Sequence, residues 1–320
     1  MLDKLISIIV PMYFEEEVAQ ECYNRLTKVM KESQLNYELI FVNDGSTDKT
    51  LPILKEIALK DERAKVISFS RNFGHQNAVT AGIFAATGDA LVIIDADLQD
   101  PPELIPDLVA KWQEGYDVVY AKRKQRKGET WFKLFTAKCF YKFLHSMSEV
   151  EIPKDTGDFR LIDRKVGEVF KNMPERNRFI RGMMSWVGFK QYAFEYERQE
   201  RFAGSTKYPL KKMLKFASDG IIAFSSKPLK MISYLGGITI FISIILLIYS
   251  LIIRIIGVNA QPGWTSIIVA ISLFSGVQLL SLGIIGQYIA RIYDESKNRP
   301  LYIVDEKINF EEKDNNKKEI

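Results

Sequence analysis

Ala90-Leu91-Val92-Ile93-Ile94 runs without a break into Asp95-Ala96-Asp97-Leu98-Gln99. The apolar half reads as a strand buried on both faces. The acidic half falls where that strand gives way to a loop. Two carboxylates one residue apart at such a point can reach one hard cation. Mg²⁺ or Mn²⁺ takes oxygen ligands from one or two carboxylates together with the phosphates of a nucleotide. An Asp-x-Asp alone is equally a solvated acidic pair on a loop, so its meaning depends on what surrounds it.

Outward from this stretch, residues 1 to about 205 alternate strand-like and helix-like segments. Strands are expected at Ile6–Pro11, Tyr37–Asn43, Ala64–Ser70, Ala90–Asp95 and Asp117–Ala121. Helices are expected at Glu16–Ser33, Thr47–Lys60, Gln76–Ala86 and Glu103–Glu114. This alternation predicts an α/β fold, a mainly parallel sheet with helices on both faces. Such sheets bind ligands off the carboxyl ends of their strands. Three polar clusters fall there: Pro11-Met12-Tyr13-Phe14-Glu15, Asn43-Asp44-Gly45-Ser46-Thr47-Asp48 and Asp95-Ala96-Asp97.

Each cluster has a chemical task open to it. Asp44 can accept hydrogen bonds from a uracil or guanine edge, and Glu15 from a ribose hydroxyl. Gly45-Ser46 lets the backbone turn close to a ligand. The same loop also reads as a turn with Ser46 or Thr47 capping the next helix. Arg71-Asn72-Phe73-Gly74-His75-Gln76-Asn77 opens a further helix, whose N-terminus with a nearby Arg suits an anion. His75 is expected to cap or pack rather than catalyse, and His145 has no assigned role.

The 320 residues leave room for one large domain and something smaller. The net charge of +4 does not call for a nucleic-acid partner. Cys22 and Cys139 lie far apart and read as free thiols of a reducing compartment. Met1-Leu2-Asp3-Lys4 passes directly into Ile6-Ser7-Ile8-Ile9-Val10 without a charged-then-apolar leader, so the first domain is expected in the cytosol.

Apolar residues concentrate late in the chain. Met231 to Ile253 is almost wholly apolar and uncharged, and Thr265 to Ala290 follows, with Gln278 and Gln287 its most polar members. Each exceeds the roughly 20 residues that cross a bilayer; a pair of buried core helices is the alternative. Lys207, Lys211, Lys212, Lys215, Lys227 and Lys230 precede the first run, and Arg291, Lys297 and Arg299 follow the second. The connection Gly257–Trp264 carries no charge. The positive-inside rule places both ends in the cytoplasm; Arg254, at the outer end, can snorkel to the headgroups. Four stretches result: a cytosolic domain at 1–205, a juxtamembrane amphipathic segment at 206–230, two transmembrane helices within 231–290, and a cytosolic tail at 291–320, charged and disordered from Glu311.

With these clusters in place, the chain resembles the A-type family 2 glycosyltransferases, and among them the polyprenyl-phosphate enzymes: dolichyl-phosphate mannose synthases and bactoprenol glucosyltransferases. The matching runs are Val10–Glu16, Asn43–Asp48, Arg71–Gln76, Asp95–Glu103, Gly157-Asp158-Phe159-Arg160-Leu161, Asn177-Arg178-Phe179-Ile180-Arg181-Gly182, Arg201–Tyr208, Gln287–Tyr293 and Arg299-Pro300. They span about residues 5 to 302 in family order. Asn43 departs from the pattern, since many members carry a second Asp there, and an amide shares no negative charge with a metal.

The resemblance implies a Rossmann-like A-type domain with juxtamembrane and two transmembrane helices. Pro11, Tyr13, Glu15, Val42, Asp44, Asp95 and Ala96 would line the nucleotide pocket. Asp95, Asp97 and Gln99 would surround Mg²⁺ or Mn²⁺ and the sugar diphosphate. Asp158 would stand near the reacting carbon or the acceptor, as base or orienting carboxylate, unless a salt bridge to Arg160 or Lys154 claims it. Arg123, Arg201 and Lys207 would grip phosphates.

The implied reaction is inverting transfer of a hexose from a nucleotide-diphosphate sugar to undecaprenyl or another polyprenyl phosphate, giving a lipid-linked monosaccharide for the cell envelope. UDP-glucose is the first expected donor, ahead of UDP-GlcNAc or UDP-galactose, then GDP-mannose. The acceptor oxygen is already anionic, so cations matter more than a base; Lys122–Lys127 follows a strand and supplies several. Trp131–Leu144 mixes apolar and basic residues and fits either a membrane interface or a packed helix. Lys211–Lys230 reads as attracted to anionic lipid. The expected site is the plasma membrane, multi-pass. Small residues at Ser272, Gly276, Gly283 and Gly286 permit a homo-oligomer. A catalytically silent scaffold binding nucleotide sugar, a processive polysaccharide synthase and a lipid flippase are the competing readings. No Gln-x-x-Arg-Trp segment supports the synthase, and no intramembrane charge pair supports the flippase.

Overall fold

The computed structural model describes residues 4–124, 153, 156–197, 225–256 and 263–310. They divide into two compact units: 4–124, 153, 156–197 and 299–310 in the first, 225–256 and 263–298 in the second.

The first unit opens with β1 (Leu5–Met12), α1 (Ala19–Glu32), β2 (Asn36–Asn43), α2 (Thr50–Lys60), β3 (Ala64–Phe69), α3 (His75–Ala85) and β4 (Ala90–Ile93). A 3-10 turn at Pro102–Leu104 leads into α4 (Ile105–Gln113), and β5 (Val118–Arg123) follows. Every strand and helix expected up to Ala121 therefore forms, with shifted ends. Five elements were not anticipated: β6 (Thr156–Asp163), α5 (Arg164–Lys171), α6 (Ile180–Trp186), β7 (Gln191–Tyr196) and β8 (Val304–Ile308). The eight strands make one sheet in the order β7-β5-β6-β4-β1-β2-β3-β8.

Both faces of the sheet are covered, which is why its central strands read as unbroken apolar runs. Along β1, Ile6, Ile8, Val10 and Met12 join a core with Leu26 and Met30 of α1, Leu54 of α2 and Leu108 of α4. Ile9 points to the other face, where α3 lies so close at Gly82 that a Cβ there would stand 2.2 Å from Ile9 Cγ2. Beneath the amino ends of the strands, Glu38 accepts from Ser7, from both the N–H and the hydroxyl of Thr87, and from Lys65 at 2.7 Å.

β4, β1, β2 and β3 run parallel, and β6 is inserted antiparallel between β4 and β5. This reversal builds the site. Ile93 lies opposite Arg160, so two residues further along β4 the chain brings Asp95 level with Asp158 at the start of β6. Residues far apart in sequence thus meet off the carboxyl ends of the parallel strands.

β8 corrects the reading of 291–320 as a tail. Its register runs from Val66 opposite Ile308 to Phe69 opposite Val304, on the outer edge of β3. Its residues alternate between half-buried and exposed, which suits an edge strand with one face in solvent.

The second unit contains α7 (Lys227–Ile256) and α8 (Trp264–Ser296), two helices long and apolar enough to cross a membrane by length and composition. Ile240, Ile244, Leu279 and Leu282 stand exposed on them. Both extend past the limits expected from hydropathy. Tyr288 of α8 donates to the Ser225 carbonyl at 2.7 Å, just before α7. Residues 206–224, the Trp131–Leu144 stretch, the 257–262 connection and the 311–320 tail lie outside the described residues, as do Cys139, His145, Lys154, Arg201 and Lys207.

Candidate active site

Asp158, Asp95 and His75 converge where β4, β6 and α3 meet. His75 Nε2 is 3.1 Å from Asp158 Oδ2 and 3.7 Å from Asp95 Oδ1. Arg181, near the start of α6, donates to Asp158 from Nε at 2.7 Å and from Nη2 at 3.3 Å. Asp158 itself is buried. Burial alone would raise its pKa; the Arg181 guanidinium and the His75 hydrogen bond outweigh that and hold the carboxyl well below the usual carboxylate range. Burial would lower His75, but the bond to Asp158 and the Asp95 charge lift it to about 9. Burial pushes Asp95 up to about 6 against the pull of His75, with Asp158, Asp100 and Asp97 adding repulsion.

The ligand atoms of His75, Asp95 and Asp158 all lie within 4.8 Å of one another, so they can share one metal ion. Carboxylate oxygens and an imidazole suit a divalent cation, and a crowd of mutually repelling carboxylates is what such an ion relieves. Asp97 and Gln99, expected beside Asp95 at the metal, lie outside this group. Asp97 Oδ1 instead accepts from the Gln99 N–H at 3.1 Å, in a turn where buried Leu98 takes φ 56°. A non-glycine residue in that left-handed region is a strained conformation that the surroundings impose.

The expected alternative for Asp158 was a salt bridge to Arg160 or Lys154. Arg160 turns away: its Nε donates to the Asp158 carbonyl at 3.2 Å and its Nη2 to the Gly157 carbonyl at 3.0 Å. The carboxylate pairs instead with Arg181 of α6, an element more than twenty residues further along the chain. His75 also departs from expectation, since its ring joins the acidic pair rather than capping its helix.

Beside this cluster, Asp100 is wholly buried. Tyr196 at the end of β7 donates to its Oδ1, and Arg123 Nη2 lies 3.6 Å from its Oδ2. Arg123 Nε also donates to the Tyr196 hydroxyl at 3.3 Å. Gly157 packs against this guanidinium, and a Cβ there would stand 2.8 Å from Arg123 Nη2 and displace it. Arg123 therefore reaches the site already partnered by an acid. Desolvation would lower its pKa, yet the Asp100 charge keeps it raised.

The nucleotide-type residues gather at the ends of β1 and β2. Pro11, Val42 and Ala96 are buried, Glu15 is half-buried and Tyr13 is exposed. The Asp44 carboxylate accepts from the Phe73 N–H at 2.7 Å and the Gly74 N–H at 3.0 Å. The anion at the start of α3 is thus one of the protein's own. Gly45 takes φ +65°, and a Cβ there would meet the Arg71 backbone at 2.2 Å, so its freedom serves chain-on-chain packing rather than a ligand approach. Ser46 does not cap α2: its hydroxyl accepts from the Phe14 N–H at 3.1 Å. The helix starts later, at Thr50, whose N–H is taken by Asp48 at 3.0 Å.

Arg181, His75, Asp100 and Tyr196 were not among the residues singled out from sequence for the chemistry. Arg181 and His75 lie inside the family-like runs Asn177–Gly182 and Arg71–Gln76, and Asp100 inside Asp95–Glu103. Tyr196 had no signal at all.

Residues 7–170 match the family model described as Glycosyl transferase family 2. The chain is 56% identical over 307 residues to an uncharacterized glycosyltransferase of Bacillus subtilis, covering 96% of this chain and 95% of the other. It is 42% identical over 299 residues to a prophage bactoprenol glucosyl transferase homolog of Escherichia coli, covering 93% and 98%. Among solved structures, the mannosyl-3-phosphoglycerate synthase of Rubrobacter xylanophilus aligns with a TM-score of 0.46 at 16% identity, over 68% of this chain and 72% of that one.

Proposed function

Because the chain belongs to glycosyl transferase family 2, we propose that it transfers a hexose, glucose first, from a nucleoside diphosphate to a polyprenyl phosphate at a membrane face. The observation that carries this reading is the convergence of Asp95, Asp158, His75 and Arg181 off the carboxyl ends of the sheet, in a chain that also has two membrane-length apolar helices. The full-length similarity to proteins named bactoprenol glucosyl transferase supports the lipid acceptor and the glucosyl donor. The lysines before α7 and the basic residues after α8 support a plasma-membrane protein with its catalytic unit and both ends in the cytoplasm.

In this reading an acceptor phosphate oxygen attacks the anomeric carbon. The new carbon–oxygen bond forms as the bond to the nucleoside diphosphate breaks, and the configuration inverts. The acceptor oxygen is anionic at neutral pH, so no residue must remove a proton from it. Asp158, kept ionised by Arg181 and His75, orients the reacting groups rather than shuttling a proton. Arg123, braced by Asp100 and Tyr196, offers its guanidinium to phosphate oxygens, with Arg201 and Lys207 as further cations. The nucleotide lies along Pro11, Tyr13, Glu15, Val42, Asp44 and Ala96. Mg²⁺ or Mn²⁺, held by Asp95 with His75 and Asp158 or with Asp97 and Gln99, would supply charge stabilisation to the departing diphosphate.

The test is direct. Purified protein in nanodiscs, with Mg²⁺ or Mn²⁺, undecaprenyl phosphate and a panel of UDP- and GDP-sugars, should give a lipid-linked hexose by mass spectrometry, most from UDP-glucose. Nucleotide binding with no product from any donor would replace this reading with the silent scaffold.

A further inference from the structure

The end of the chain closes the sheet edge beside the proposed nucleotide loops. β8 pairs with β3, and past their register the Ser70 N–H donates to the Ile303 carbonyl at 3.1 Å. Tyr302 lies flat on Phe69, with ring centroids 4.8 Å apart and planes 14° from parallel. Phe69 meets Phe73 edge-on, at 5.8 Å and 88°. Phe73 carries the backbone N–H that holds the Asp44 carboxylate at 2.7 Å. Arg71 covers the Phe73 ring at 4.1 Å, and the Arg71 backbone leaves no room for a Cβ on Gly45. A row of three rings therefore links the C-terminal strand to the Asp44 loop.

We propose that Tyr302 is a positioning residue for the donor: stacked on Phe69, it holds the Arg71–Gly74 turn against the Asp44 loop and so sets the affinity for the nucleoside diphosphate. The inference rests on the reading that the Asp44 loop takes the nucleotide. A loop site is only as well placed as the packing behind it, and the Arg71–Gly74 turn has Phe69 and Tyr302 behind it. The strand does not depend on this ring to stay in place. Asn309 Nδ2 donates to the carbonyls of Ala58 at 2.7 Å and Ala64 at 2.9 Å, and Glu306 pairs with Lys55. Removing the ring should loosen the turn while β8 remains paired. The chain leaves α8 at Ser296 and enters β8 at Val304, so the segment that buttresses the donor loop is the one leaving the apolar helices.

The experiment uses the full chain in nanodiscs with UDP and GDP as probes. Tyr302→Leu keeps apolar bulk and loses the planar ring. It should raise the Kd for UDP roughly fivefold, the scale of one stacked aromatic pair. It should raise KM for the nucleotide sugar to match, leaving kcat and the KM for polyprenyl phosphate unchanged. The Phe73 and Gly74 amides should exchange hydrogen faster, while those of β1 keep their protection. Tyr302→Phe should restore all of these, because the ring and not the hydroxyl makes the contact. Unchanged amide exchange in Tyr302→Leu overturns the inference, as does failure of Tyr302→Phe to rescue it. Global unfolding of Tyr302→Leu overturns it too, since the ring would then be holding the fold. A native chain that binds neither UDP nor GDP overturns the proposed function instead, and the exchange data still report separately on the link from Tyr302 to Asp44.

Discussion

Arg181 grips Asp158 through two parallel hydrogen bonds, at 2.7 Å from Nε and 3.3 Å from Nη2. The fork fixes the plane of the carboxylate, which a single point charge cannot do. Removing Arg181 leaves the buried Asp158 carboxylate with one of its two charged partners, His75, at a cost of roughly 1.5–3 kcal/mol for hydrogen bonds to a charged group. Arg181→Met should therefore lower the melting temperature and cut turnover on the order of a hundredfold by misplacing the carboxylate. Arg181→Lys should fall between Met and the native residue in both. Initial rates of lipid-linked sugar formation, read beside thermal melts, check this. Native rates in Arg181→Met would remove Asp158 from the chemistry.

On the proposed reading, turnover depends on a divalent ion held by Asp95 together with Asp97. Chelation by EDTA should stop turnover, and Mg²⁺ or Mn²⁺ should restore it. Asp97→Ala should abolish product while leaving membrane insertion unchanged. Asp95→Asn should do the same and also weaken Mn²⁺ binding measured by paramagnetic resonance. Full activity in EDTA would remove the ion from the account.

Glu38 makes a pH prediction away from the site. Burial raises its pKa, but Lys65, Ser7 and Thr87 together outweigh that and leave it lowered from 4.5. A carboxylate whose folded pKa is depressed adds stability above its unfolded pKa, and that stability is lost as pH falls through the folded value. Glu38→Gln should thus be less stable than the native chain at neutral pH, by roughly 2 kcal/mol for a charged hydrogen-bond acceptor. The gap should close progressively below about pH 4.5. Denaturant titrations across that range decide it; a gap independent of pH would refute the assignment.

Gly82 sets how closely α3 lies on the sheet. Alanine there gains about 1 kcal/mol of helix propensity. Its Cβ would stand 2.2 Å from Ile9, a wholly buried side chain with little room to yield. Overpacking costs typically about 1–3 kcal/mol, so Gly82→Ala should be net destabilising. A melting temperature above that of the native chain would show that α3 can lift away freely.

Much of the first unit is legible in the amino-acid sequence. The strands β1 to β5 and helices α1 to α4 follow from apolar runs and periodicity, and Asp95 was placed at the end of its strand. Strands β6, β7 and β8 were not anticipated. β6 carries the buried Arg160 and Asp158, which weakens an apolar-run signal. β7 reads Gln-Tyr-Ala-Phe-Glu-Tyr, and β8 reads Val-Asp-Glu-Lys-Ile on an exposed edge. Polar edge strands carry little periodic signal of their own. Side-chain partnerships are hidden for the same kind of reason. For Asp158 the local alternative is a salt bridge to Arg160 or Lys154, whereas the partners it has, His75 and Arg181, come from two other elements.

Local chemistry alone dictates which stretches bury both faces, where acids end a strand, and which helices are long and apolar enough to cross a membrane. Those follow from hydropathy and side-chain periodicity over a few consecutive residues. It took the folded chain to show that Asp95 stands level with Asp158, that His75 and Arg181 close on Asp158, and that Tyr302 stacks on Phe69 behind Phe73. Such meetings depend on strand register and on the reversal at β6, which are set by the packing of the whole sheet and leave no mark on any short stretch of chain.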